Sequence, residues 1–219
     1  MHHAIEYQHF STPHLQMGAR KRSPLGQLLR ITRGAALLRL GAQEWLLTAG
    51  SHFWLCSDAL AAFTPLAGCQ HDRLTCSVRV AQPTQAGWLQ ATPLLDALLD
   101  NLASWDNTRD WQGAYGHRLR VAQDELMASP LMTQDNAPLQ AAWQSLQAGG
   151  SADESLFAAA GLDAQSLRDQ WQLLQAARLL RSGSKQAQVV DKLGYQDEAA
   201  LADACQRWLG QPLAALSQR

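Results

Sequence analysis

The chain has 219 residues, with 18 Lys and Arg against 19 Asp and Glu and a formal net charge of −1. This balance gives no bulk attraction to nucleic acid or to an anionic membrane. No stretch approaches the run of about eighteen apolar residues that spans a bilayer, and Met1-His2-His3-Ala4-Ile5-Glu6 lacks the basic-then-apolar order of a secretory leader. The expectation is a cytoplasmic chain of one large or two modest domains, in which Cys56, Cys69, Cys76 and Cys205, with no CxxC pair among them, are reduced and mostly buried.

Charge is unevenly spread: residues 1–80 carry eight basic and four acidic side chains, and 81–150 carry three and seven. The cluster Arg20-Lys21-Arg22 reads either as a solvated loop or as a contact for phosphate or an acidic partner. From residue 26 to 80 short strand-like pieces follow one another at 27–32, 35–40, 44–48, 52–56 and 74–80, separated by Arg33-Gly34, Gly41, Ala49-Gly50 and Gly68. Such spacing predicts a small antiparallel barrel or sandwich. Trp45, Trp54, Trp88 and Trp105 either fill its core or stack on a ligand.

Residues 88–127 turn helical. Leu95, Leu98, Leu99 and Leu102 share one helical face, and after Asp106-Asn107 a second helix is marked by Trp111, Tyr115, Leu119 and Leu126. The prolines of 128–138 bracket a polar run that reads as a linker. Ser151-Ala152-Asp153-Glu154 has capping-box spacing before a short helix through Leu156, Phe157 and Ala160, which Gly161 ends. Asp163 then caps a helix running through Leu167, Trp171, Leu174 and Leu180.

From Val189 to Gly210 the sequence reads helix, Gly turn, helix, Gly stop. Val189, Val190 and Leu193 form the apolar stripe of the first helix, and Leu201, Ala204, Cys205, Trp208 and Leu209 that of the second. Gly194 supplies a left-handed exit and Asp197 a cap for the next helix, which is the layout of a DNA-reading helix-turn-helix. Trp208 is expected in the core against Val189, Val190 and Leu201.

Leu193-Gly194-Tyr195, Asp197, Ala200, Arg207-Trp208, Gly210 and Pro212 resemble the second helix-turn-helix of the AraC/XylS regulators, A-x-x-L-G-Y-x-D-x-x-A-F-x-R-x-F-K-R-W-x-G-x-x-P. Ala176-Ala177-Arg178-Leu179-Leu180 is similar to the end of that family's linker helix. Gly26-Gln27-Leu28-Leu29, Trp45-Leu46-Leu47-Thr48-Ala49-Gly50 and Phe53-Trp54-Leu55 resemble landmarks of its sensory domain. The resemblance implies an α+β chain: a cupin-like antiparallel β-barrel over 1–82, a helical connector over 83–128 that in the family often packs two copies into a dimer, and an all-α helix-turn-helix domain over 129–219. Intrachain packing is the other reading of the connector.

The function implied is transcription regulation, without catalysis or cofactor. DNA would be read through Lys185, Gln196, Glu198, Ala199, Asp203 and Arg207, under control of a small-molecule effector or protein partner on the first half. His14, Trp45 and Trp54 are the candidate effector-binding residues. His14 is the only histidine near the ligand positions of metal-binding cupins; His52 and His71 stand isolated, so no metal is expected.

Departures from the pattern fall on the reading helix. Asp203 replaces the usual Arg, Leu201 the Phe and Gln206 the Lys, and the helix opens with Asp197-Glu198. From residue 151 onward seven basic side chains face eight acidic ones, where a DNA reader normally carries a basic stripe. About a dozen residues that would separate the first reading helix from the linker helix also have no counterpart. The alternative function is therefore a degenerate member that no longer reads DNA and binds another protein through its acidic helical face. Catalytic signatures are lacking: no glycine-rich phosphate loop, Gly-x-Ser-x-Gly elbow, paired-histidine zinc motif or local Cys–His dyad is present, and Asp124-Glu125 would face different ways on a helix.

Overall fold

The computed structural model describes residues 4–151 and 153–216. Among the described residues, ten strands form two antiparallel sheets: β1 (Ile5–Thr12), β2 (Lys21–Arg22), β3 (Gly26–Arg33), β4 (Ala35–Leu40), β5 (Gln43–Thr48), β6 (His52–Leu55), β7 (Leu60–Pro65), β8 (Cys69–Cys76), β9 (Gly87–Leu89) and β10 (Leu131–Met132). One sheet runs β1-β8-β3-β6-β9-β10 and the other β2-β7-β4-β5. They remain separate sheets facing each other, so the expected closed barrel is corrected to a sandwich.

Strand alternation assigns side chains to three apolar layers. Between the sheets lie Leu29, Ile31, Ala36, Leu38, Leu47 and Phe53. The outer face of the larger sheet, with Tyr7, Leu28, Trp54 and Leu74, packs against α1 (Pro93–Ala103) and α2 (Ala114–Ala128). The outer face of the smaller sheet, with Ala35, Leu37 and Leu46, joins the core of α3 (Ala137–Gln147), α4 (Glu154–Ala159), α5 (Ala164–Arg181), α6 (Gln186–Leu193) and α7 (Glu198–Leu209). A short 3₁₀ turn, Leu213–Leu216, follows. Burial on both faces explains why Ala35-Ala36-Leu37-Leu38 and Phe53-Trp54-Leu55 are continuous apolar runs rather than alternating ones.

Three further expectations are corrected. The last strand of the 26–80 block is Cys69–Cys76, five residues earlier than expected at its start, and two strands outside the expected set form, β1 beside β8 and β7 beside β4. The 128–138 segment is only partly linker: β10 lies within it, and Asn136 and Pro138 open α3, Asn136 accepting from Leu139 N–H at 3.3 Å. Proline is accommodated in that first turn because an N–H there would have no helical partner. Asp153, rather than Ser151, caps α4 through Leu156 N–H at 3.3 Å.

Candidate functional site

The C-terminal helix pair is built by local cap chemistry. α6 stops at Gly194, whose φ of 73° is left-handed, and Tyr195 N–H turns back to the Val190 carbonyl at 3.1 Å. Asp197 Oδ1 then accepts from Ala200 N–H at 2.7 Å to start α7. Gln172 of α5 donates to the Leu193 carbonyl at 2.6 Å, tying the turn to the helix beneath. Val189, Val190, Leu201, Cys205 and Leu209 are buried. Burial pushes the Cys205 thiol up to about 11, which leaves it an inert core group.

The opposite face of α7 is open. Gln196, Glu198, Ala199, Asp203 and Arg207 are all exposed, and Ala199, Asp203 and Arg207 recur every fourth residue along one side of the helix. Lys185 is exposed too, at the N-cap of α6. Asp197 and Glu198 sit at the positive end of the α7 dipole, a local stabilising role for carboxylates. Asp203 has no such role. The Arg207 guanidinium lies over the Trp208 ring at 5.0 Å.

α5 is enclosed. It runs unbroken for 18 residues, with Ala164, Leu167, Gln170, Leu173, Leu174, Ala176, Ala177 and Leu180 buried. Gln170 accepts from Ala67 N–H at 2.8 Å. Further along the helix, Arg178 forks onto Glu44 at 3.2 and 2.5 Å. The helix thus presents little surface that a groove-binding element would need.

Trp208 packs against the core that holds Val189, Val190 and Leu201, as expected, but is less deeply buried than a core residue. The indole is half-buried, and it lines a crevice with Gly34, Ala35 and Leu66 at the seam with the smaller sheet.

The three candidate effector residues do not come together. His14 is exposed, and its ring abuts Gly210 after α7. Trp54 is fully buried under α1 and α2, and its Nε1 donates to the Pro83 carbonyl at 2.9 Å. Trp45 packs on Phe53 in the intersheet layer, with ring centres 5.5 Å apart. None of them lines the cavity of about 370 Å³ that opens between the sheets beside β2. Among the described residues no group of three His, Cys, Asp or Glu side chains is placed to hold a metal ion, and no helix is long and apolar enough to cross a membrane.

A polar cluster missed by sequence reasoning fastens α1 to the larger sheet. Buried Asp72 accepts from Tyr7 Oη at 2.6 Å, meets His9 Nδ1 at 2.8 Å and pairs with Arg30 at 3.4 Å. Arg30 also reaches Asp96 at 3.3 Å and Asp100. Burial together with the Asp72 carboxylate holds the Tyr7 phenol far above its ordinary value, so it stays a donor.

No family model matches the chain, and no curated protein matches it. Among solved structures, apo ToxT of Vibrio cholerae strain SCE256, in a lysine-to-alanine variant, is 10% identical with a TM-score of 0.42. That match covers 98% of this chain and 97% of the other. Unsaturated fatty acid-bound wild-type ToxT from the same strain is 10% identical, covers 97% and 94%, and has a TM-score of 0.36. The AraC-like transcriptional activator CuxR is 12% identical over 89% and 78%, with a TM-score of 0.44.

Proposed function

We propose that the chain is a non-enzymatic transcription regulator of the AraC type, which docks α7 on a DNA duplex while its first half answers to a small effector. The observation that carries this reading is the free face of α7 on a turn closed by Gly194 and Asp197, where the sequence also matches the family pattern. A lone reading helix with two carboxylates on its surface makes few phosphate contacts, so useful affinity comes from pairing two copies. The outer faces of the connector helices, with Leu94 49%, Val121 40% and Met127 44% exposed, supply apolar surface for that pairing.

The test is selection of bound sequences from random duplexes by the full chain at low salt, followed by gel shifts of wild type and Arg207→Glu. Recovery of a shared motif, with a shift that Arg207→Glu abolishes, supports the reading; failure to retain any duplex overturns it. The second reading, a protein-binding module, is favoured by Glu198 and Asp203 standing on the exposed face against only Arg207. It predicts no DNA shift, and a partner whose capture is lost on Glu198→Lys with Asp203→Lys.

A further inference from the structure

Arg73 lies on β8, on the side facing the other sheet, and lines the intersheet cavity. Its Nε is buried without a hydrogen-bond partner, and among the described residues no carboxylate forms an ion pair with it. The Phe10 ring lies 4.8 Å from the guanidinium carbon. Asp72, adjacent in sequence, points to the opposite face and is taken by Tyr7, His9 and Arg30. Arg73 is partly exposed, and its buried Nε, left without an acceptor, is unfavourable unless an anion at the cavity supplies one. Burial accordingly lowers its pKa.

The rest of the cavity defines what that anion looks like. Leu55, Ala61 and Phe63 form apolar walls, while Lys21 and Arg22 stand at the rim, Arg22 held there by donating to the Asp58 carbonyl at 2.7 Å. Of the sequence cluster 20–22, Lys21 and Arg22 are thereby placed to attract anions toward the opening. The volume, about 370 Å³, belongs to the lower end of the small-molecule range.

We infer that this cavity binds a small organic carboxylate, its apolar body between Leu55, Ala61 and Phe63 and its carboxylate forked onto the Arg73 guanidinium. The inference rests on reading the first half as an effector-binding unit, and it assigns that site to residues other than His14, Trp45 and Trp54. An arginine fork matches a carboxylate in two parallel hydrogen bonds. The apolar walls disfavour inorganic phosphate.

Calorimetric titration of the full chain, without DNA, with phenylacetate and hexanoate, their uncharged amides, and inorganic phosphate tests this. At least one carboxylate is expected to bind saturably, at least tenfold tighter than its amide and tighter than phosphate. Arg73→Met should lower that affinity at least tenfold and Arg73→Lys less. Ala61→Phe, which fills the cavity and leaves the cation in place, should also remove binding and serves if Arg73→Met does not fold. No binding, equal binding of acid and amide, preference for phosphate, or binding that survives Ala61→Phe overturns the inference. Failure of the gel shifts alone sinks the regulator reading and leaves this result standing.

Discussion

Leu15 N–H donates to the Trp208 carbonyl at 2.8 Å, so the segment ahead of β2 satisfies a carbonyl in the last turn of α7 that the helix itself leaves open. Just beyond, Gly210 has a φ of 64°, and an added Cβ would lie 2.7 Å from the His14 ring. The orientation of α7 is therefore set by the β half, and rotating it away means breaking this seam. Gly210→Ala should cost about 1–2 kcal/mol, part from the left-handed backbone and part from the ring. A urea-unfolding cycle with His14→Ala separates the two: the double variant should regain the steric part only. A coupling of zero would mean that the ring yields without resistance.

Gln140 of α3 copies a neighbouring strand. Its side-chain oxygen accepts from Leu46 N–H at 3.1 Å and its amide donates to the Leu46 carbonyl at 2.7 Å, both on the free edge of β5. Gln140→Met keeps the volume and leaves two buried backbone groups unpaired, for an expected loss of about 2–4 kcal/mol. Arg178→Ala should cost less, about 1 kcal/mol, because that pair is partly open to solvent. The ordering of the two urea midpoints checks the argument.

His71 is buried with both ring nitrogens unpartnered, between Phe10 at 4.8 Å and Phe63 at 4.9 Å. Burial first, then the Arg73 charge, pulls its pKa down to about 4. The unfolded chain takes up a proton near pH 6.5 while the folded one does not. Stability is thus complete above about pH 6.5 and falls as pH drops toward about 4, by up to about 3 kcal/mol. His71→Phe should flatten that part of the profile in denaturant titrations between pH 7 and 4. An unchanged slope would show that other groups carry the acid response.

What the sequence makes legible is what short-range chemistry decides. Gly194 and Asp197 announce their turn because a left-handed exit and a cap act within four residues. β4, β5 and β6 fall within a residue of expectation, since turn residues bound each of them. The start of β8 is not legible because His71-Asp72-Arg73 reads as polar loop, and what permits Asp72 to be buried are Tyr7, His9 and Arg30, more than forty residues away. The same lack of long-range information hid the cavity at Arg73. Period-two alternation cannot tell which sheet face meets helices, and Trp54 lies on the helix side while Arg73 lies on the cavity side. The α7 surface residues were legible because their exposure follows from the helical period and the buried stripe of Leu201, Cys205 and Leu209.

Asp203 is the residue on which the DNA reading turns. It stands one turn from both Ala199 and Arg207 on the open face, where a docked duplex would place base edges and phosphates. A carboxylate accepts from cytosine N4 but is repelled by nearby phosphate. Asp203→Arg should therefore strengthen binding to unrelated duplexes, and it should make log affinity fall more steeply with log salt by about one further counterion. Gel-shift titrations of both proteins at two salt concentrations measure the slope. If wild type instead holds one sequence tightly and Asp203→Arg destroys that preference, the carboxylate is a base reader and the acidic face is a specificity device.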